Sequence, residues 1–472
     1  MIRDSILVGS AQAVNEAWAA RASWAPTSLR VRGVVLIGPG EAPPPLIARA
    51  PVWDALDLSK AKASSLILIE PPADGAAKRS VLARAAEGGL RCFLLAEGKL
   101  RRLRLDDLIG RPLGDVDFAR IRDTVAGKRV LITGGGGSIG GELCRQILRY
   151  KPAHVIVLGH GENSVFEITN ELQRICKEWQ GQPANSTAEP AFCKITPVIA
   201  DLRFAERLVT ICEEYRPEII FHAAAHKHVP LMETNHLQAI DTNILGTSHL
   251  ILAADKYAAT LPPGETVRIV NISTDKAVAP ENIMGITKRI AELLMYNLAR
   301  LGSGRLRTVS VRFGNVLGSS GSVVPLFWEQ IQQGGPLTVT HPDMERFFMT
   351  IPEAVRLVLQ AAALRDESDG ILALDMGKPV RIVELAERLI LLAGKKPHSE
   401  VPIVFTGIRP GEKLKEELFW EKDSVQTAIP FIFKSTSDVK TVDIGHFLQL
   451  LKSALEENRS RSWYREFLLK YA

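Results

Sequence analysis

The chain has 472 residues, 46% hydrophobic and 24% charged, which excludes a fibrous or disordered protein and leaves room for two or three domains. A formal net charge of +5, with Lys and Arg interspersed among acids, lacks the basic patch of a nucleic-acid binder, so no nucleic-acid partner is expected. The cysteines Cys92, Cys144, Cys176, Cys193 and Cys212 are scattered without a Cys-x-x-Cys pair, so buried free thiols are expected and no metal site. No apolar run approaches the roughly 20 residues that span a bilayer. The start, Met1-Ile2-Arg3-Asp4, carries no signal-peptide pattern, so a cytoplasmic protein without an integral membrane segment is the expectation.

In chain order, the apolar runs Val34–Ile37, Leu66–Ile69 and Cys92–Leu95, with a helix-like stretch at Ala76–Ala86, predict a small α/β nucleotide-binding-like unit over 1–100. Gly38-Pro39-Gly40 reads as a strand-ending turn. Residues 101–127 are charged and predict a linker. From 128 to 472 strands at Val130–Ile132, Val155–Leu158, Ile219–Phe221 and Ile269–Ile272 alternate with helical patterns at Gly140–Tyr150 and Val165–Gln180. This predicts an α/β fold with a Rossmann-type doubly wound parallel sheet and ligands at the carboxyl ends of its strands. Gln180–Glu189 reads as a loop, and a smaller C-terminal substrate lobe is expected mainly from about 318 onward.

Gly134, Gly137 and Gly140 follow the first strand at once and open a helix. Their missing side chains let the backbone turn tightly and approach a pyrophosphate, which the free N–H groups near Ser138 and Ile139 would bind. The carboxylate that normally ends the second strand is replaced by Gly159. Glu162 is then a candidate for the ribose, or Arg203 for a 2′-phosphate, which leaves NAD and NADP both open. Asp201-Leu202 falls where such folds contact adenine.

The run Ser273-Thr274-Asp275-Lys276 ends a strand with hydroxyl, carboxyl and amine side by side where a nicotinamide would lie. Lys288 stands one helical turn beyond Met284, as in the Tyr-x-x-x-Lys arrangement of short-chain dehydrogenases, but without the tyrosine. Taken singly, Asp275 is a helix cap and Lys276 a solvated charge. Together with the glycine turn they point to an acid–base site.

Five stretches then carry a resemblance: Phe221 to Glu233, Ser273 to Lys288, Arg312 to Val323, Thr340 to Met344, and Arg409-Pro410-Gly411-Glu412-Lys413-Leu414. The chain resembles, from about Arg104 to Leu418, the polysaccharide-biosynthesis (CapD-like) UDP-N-acetylglucosamine 4,6-dehydratases, which are extended short-chain dehydrogenases/reductases. Long members usually carry N-terminal membrane helices, which this chain lacks. The resemblance implies a lyase that converts UDP-N-acetylglucosamine to a 4-keto-6-deoxy sugar for surface polysaccharide, with a tightly bound NAD, or NADP, recycled in each turnover. Thr274, Asp275, Lys276, Met284 and Lys288 form its catalytic set, and Met284 resembles the branch that retains configuration at C5. Lys276, with its pKa lowered beside Lys288 and the nicotinamide, is the expected C5 base, and Asp275 the acid for the C6 hydroxyl. The C4 hydroxyl proton goes to Thr274 through a relay, to Asp275, or to water near Lys288. Ala223, Ala224 and Lys288 are expected at the cofactor; Lys227, Asn315, Arg346, Arg409 and Glu412 at the UDP-sugar. A homo-oligomer is expected. The competing readings are a nucleotide-sugar epimerase and a non-catalytic cofactor-binding regulator.

Overall fold

Strand residues such as Val130-Leu131-Ile132 and Ile6-Leu7-Val8 are all inaccessible to solvent, the signature of sheets covered on both faces, and the two large sheets are mainly parallel. The computed structural model describes residues 4–26, 29–36, 63–69, 85, 90–96, 98–103, 107, 117–181, 193–364, 370–418, 424–436 and 441–472. Gly38-Pro39-Gly40, and nearly all of Ala76–Ala86, Arg104–Pro112 and Gln180–Glu189, lie outside the described residues. The chain divides into two units, one of Met1–Arg111, Gly321–Met344 and Val380–Gly407, the other of Pro112–Ser320, Glu345–Pro379 and Ile408–Ala472.

In the first unit β1 (Asp4–Gly9), β2 (Arg30–Leu36), β3 (Ser65–Ile69), β4 (Arg91–Ala96) and β5 (Lys99–Arg102) form one sheet in the order β2-β1-β3-β4-β5. All its pairs are parallel except β4 with β5. Alternate residues feed opposite faces: Ile6, Leu66 and Leu68 pack on one side, Leu7, Ile67 and Ile69 on the other.

The second unit holds β6 (Arg129–Thr133), β7 (His154–Gly159), β8 (Lys194–Ile199), β9 (Ile219–His222), β10 (Val267–Ile272), β11 (Leu306–Arg312), β12 (Gly370–Leu374), β13 (Ser424–Gln426) and β14 (Ile432–Ser435). Their order is β13-β14-β12-β11-β10-β9-β6-β7-β8, parallel from β12 to β8 with an antiparallel hairpin at the edge. On one face α1 (Ser138–Leu148), α2 (Glu162–Trp179) and α6 (Ile351–Ala362) cover Val130, Ile132, Val155 and Val157. On the other, α3 (Ala205–Tyr215), α4 (Gly246–Ala258) and α5 (Ile283–Leu301) cover Leu131, Ile156 and Leu158.

The strand order reverses between β6 and β9, so the loops that leave these strands diverge and open a crevice at their carboxyl ends. Next to it, β10 delivers Ser273 to Lys276. Among the described residues no helix is long and apolar enough to cross a membrane, and no group of His, Cys, Asp and Glu could hold a metal ion. Cys144, Cys176, Cys193 and Cys212 are buried free thiols, and Cys92 is a half-buried one.

Candidate active site

The turn after β6 is built by close backbone contacts. Gly134 has φ +67° and an added Cβ there would lie 2.8 Å from the backbone of Ala223 and Ala224; one at Gly140 would lie 2.1 Å from the Gly134 carbonyl. Only glycine allows both approaches. The N-cap of α1 is Gly137, which offers no side chain to the first N–H groups, so the start of this helix leaves its N–H groups uncapped by a side chain, as helix N-termini that bind anions do. This cradle fits the pyrophosphate of a dinucleotide.

His222, at the end of β9, is buried between the hydroxyls of Thr133 (2.8 Å from Nδ1) and Thr247 (2.9 Å from Nε2). Because Thr247 donates to the Asn243 carbonyl, it accepts from Nε2–H, which leaves Nδ1 to accept from Thr133. Burial, with Lys288 nearby, pushes His222 down to about 3, so it stays a neutral brace between β6, β9 and α4. Its position in the His-Ala-Ala-Ala run gave no hint of this bracing role.

The remaining cofactor candidates lie further along the sheet edge. Gly159 ends β7 where a Cβ would stand 2.8 Å from Val165 Cγ2, so the missing acid there is also a packing requirement. Glu162 is exposed in the first turn of α2. Asp201 is engaged by Arg203, whose Nη2 lies 2.6 Å from its Oδ2; this bond lowers the Asp201 pKa and occupies the arginine. Leu202 is buried against Gly246.

At the end of β10 the backbone keeps its register past the strand, with Ser273 N–H on the Val311 carbonyl and Asp275 N–H on that of Phe313. A single 3-10 turn then runs Asp275–Ala277, capped by the Thr274 hydroxyl, which accepts from Lys276 N–H. Thr274 Oγ1 donates to Asp275 Oδ1 at 2.8 Å, and Lys276 Nζ donates to the same oxygen at 2.9 Å. Asn315 Oδ1 accepts a second bond from Lys276 at 3.2 Å. Burial alone would lower the Lys276 pKa, but Asp275 and Glu416 outweigh it, so the amine is raised in this state, opposite to the lowering expected of a base.

Lys288 is buried on α5 and donates to the Ile272 carbonyl at 2.6 Å, and burial lowers its pKa to about 8. Met284, only 2% exposed, joins an apolar cluster with Val229, Met232, Ala239 and Ile283, and a thioether there can neither give nor take a proton. Gly285 lets the first turn of α5 lie against the Asp275–Ala277 turn, since a Cβ there would be 2.3 Å from the Lys276 carbonyl. Gly314 likewise leaves room for Asp275, whose Oδ2 would be 3.2 Å from an added Cβ. Both glycines were visible within the Met-Gly-Ile-Thr-Lys and Arg-Phe-Gly-Asn strings, but only the fold shows what they avoid.

The expected substrate residues fall into two groups. Lys227 Nζ donates to the Ser320 carbonyl at 2.9 Å, and Ser320 N–H donates to Ser138 Oγ at 3.2 Å, so one loop joins the phosphate turn to Lys227. Arg346 is buried and donates to the carbonyls of Glu345, Lys413 and Leu414. Lys413 donates to Ala279 at 2.6 Å, and Gly411 accepts from Asn282, so the Arg409–Leu414 segment straps the chain that leads from the Asp275–Ala277 turn into α5. At its head Arg409 is exposed, and its N–H donates to Glu412 at 3.3 Å.

Sequence reasoning passed over Glu416 and Glu292. Glu416 Oε1 lies 3.7 Å from Lys276 Nζ and 3.8 Å from Arg346 Nη2. Glu292 accepts from Ser273 at 2.6 Å, from Arg312 at 2.7 Å on each oxygen and from Arg289 at 3.1 Å, which makes a buried ionic brace under the strand end.

The decisive likeness is one of sequence: the polysaccharide biosynthesis protein family matches residues 130–435. The chain belongs to that family. It is 45% identical over 380 residues to the capsular polysaccharide biosynthesis protein CapD of Staphylococcus aureus, covering 80% of this chain and 58% of CapD. The chain thus spans little more than half the length of that relative. It is also 34% identical over 297 residues to a UDP-glucose 4-epimerase of Rickettsia canadensis, covering 63% of this chain and 79% of that one. Among solved structures, the dTDP-glucose 4,6-dehydratase DesIV of Streptomyces venezuelae, with NAD and DAU bound, superposes with TM-score 0.50 at 22% identity, covering 61% of this chain and 88% of that one. That likeness is one of fold.

Proposed function

We propose that the chain is the catalytic part of an NAD-dependent UDP-N-acetylglucosamine 4,6-dehydratase that retains configuration at C5, a lyase of surface-polysaccharide synthesis. The observation that carries this reading is the bonded set Thr274–Asp275–Lys276 at the end of β10, beside the crevice, with Met284 where an oxidoreductase of this type would place tyrosine. Glycine contacts and the open α1 N-terminus fit the dinucleotide, with Ala223 and Ala224 lining it and Lys288 at the nicotinamide ribose. Exposed Glu162, and Arg203 already engaged by Asp201, favour NAD over its 2′-phosphorylated form.

Held by the turn from Gly134 to Gly140, NAD would supply the hydride acceptor for C4 of the hexose and the hydride donor for C6. The chain moves the protons. Thr274 takes the C4 hydroxyl proton and passes its own to Asp275 Oδ1 along the 2.8 Å bond. Asp275 gives that proton from Oδ1 to the C6 hydroxyl, which leaves as water. Lys276 takes the C5 proton and returns it to the same face, which is retention. Lys288, while charged, favours hydride departure. Lys227 and exposed Arg409 serve the diphosphate, Glu412 the nucleoside and Asn315 the orientation of Lys276, while Arg346 supports the strap against which the sugar lies.

Similarity to a UDP-glucose 4-epimerase favours a second reading, C4 epimerisation. That reaction has no use for a base at C5, and Met284 cannot supply the proton transfer that it does need. Incubation with a panel of UDP-hexoses, read by mass, separates the two: dehydration removes one water, whereas epimerisation leaves the mass unchanged.

A further inference from the structure

Two carboxylate oxygens beside Lys276 are buried and have no partner among the described residues: Asp275 Oδ2 and Glu416 Oε2. The first belongs to the site already described. The second comes from the chain that follows the Arg409–Leu414 strap, and its side chain is only 4% exposed. A carboxylate this deep is costly unless it is paired and bonded. Glu416 is paired loosely, 3.7 Å from Lys276 and 3.8 Å from Arg346, distances too long for hydrogen bonds. Arg346 spends donors on the carbonyls of Glu345, Lys413 and Leu414 and so does not close on it.

The dehydratase reading leaves a proton unplaced, and the inference rests on that reading. Lys276 as an ammonium cannot take the C5 proton. Water reaches the amine poorly, since its side chain is 17% exposed, so the proton must first move to a neighbour. Asp275 is committed to the C4 and C6 hydroxyls. We propose that Glu416 is the proton-holding partner of Lys276: once the two side chains close their 3.7 Å separation to hydrogen-bonding distance, its carboxylate takes one ammonium proton, which frees the amine to remove the C5 proton, and returns it after Lys276 has given the C5 proton back. In the first transfer an N–H bond breaks and an O–H bond forms, and the last transfer reverses it, so the pair ends each turnover with the protons it began with. Burial, with Asp275 adding to it, raises the Glu416 pKa against Lys276, Arg346 and Lys413, which is the direction a proton acceptor needs. Glu416 acts through Lys276 and positions its proton.

The test compares wild type, Glu416→Gln and Glu416→Asp with UDP-N-acetylglucosamine in deuterated water, following binding, reduced nicotinamide and deuterium entry at C5. Glu416→Gln is expected to bind the UDP-sugar, to accumulate reduced nicotinamide, and to exchange C5 at least about 100-fold more slowly. The ratio of wild-type to variant exchange should fall about tenfold per pH unit, because the variant must release the Lys276 proton to solvent. Glu416→Asp should recover part of the rate. Exchange by Glu416→Gln within about threefold of wild type overturns the proposal, as does a loss that is independent of pH or that removes binding in both variants, which would make Glu416 a strut. Wild type that releases no water from the sugar overturns the dehydratase reading itself.

Discussion

Lys276 shows why the site cannot be read from residue types alone. Its amine is bonded to Asp275 and Asn315 and lies between two buried carboxylates, so this state holds its proton tightly. In the proposed reaction, where it is the C5 base, it depends on those neighbours. Lys276→Ala and Asp275→Asn should therefore keep UDP-sugar binding, measured by calorimetry, while product formation falls about 10²–10⁴-fold. Lys288 behaves differently. Burial brings its pKa to about 8, a lysine depressed from its usual range, so it is charged below that pH and neutral above it. Turnover should decline as pH rises through about 8, and a Lys288→Met variant should be slow and lack that limb in its pH–rate profile.

At the scale of elements, the turn after β6 and the first turn of α5 are both set by backbone contacts that only glycine permits. Gly140→Ala would place a methyl group 2.1 Å from the Gly134 carbonyl, so the turn must open; dinucleotide binding should be lost while β6 and α1 persist, as circular dichroism would show. Beneath the strand end, Glu292 links α5 to β11 through Arg312 and to β10 through Ser273. Removing one member of a buried ionic set strands the others, so Glu292→Ala should cost about 3–5 kcal/mol in denaturant unfolding. Burial alone would raise this carboxyl, but Arg312, Arg289 and Ser273 outweigh it and lower its pKa. Its stabilisation is thus full above the ordinary carboxylate range and drains as pH falls through the lowered value.

These elements also mark how far the sequence could be read. Strand runs, the Gly134–Gly140 turn and the Ser273–Lys288 string were legible because periodicity, spacing and chemistry are local. Glu292 and Glu416 were not, because each matters through partners far along the chain: Glu292 meets Arg312 only once β11 lies beside β10, and Glu416 meets Lys276 only across a gap of more than a hundred residues. Arg346 read as a ligand for phosphate, yet its donors hold the carbonyls of the strap, a use that no local pattern announces.

For the whole molecule, the chain belongs to the polysaccharide biosynthesis family and carries a Rossmann-type sheet, and in the proposed function the groups at the end of β10 decide which reaction that scaffold runs. The first unit, with its own five-stranded sheet, contributes nothing to the residues assigned here to proton transfer. The most direct measurement is NMR of the product formed from UDP-N-acetylglucosamine in deuterated water. A C6 methyl group, a C4 ketone or its hydrate, and deuterium at C5 with the starting configuration are predicted, whereas a hexose that keeps its C6 hydroxymethyl group would contradict the account.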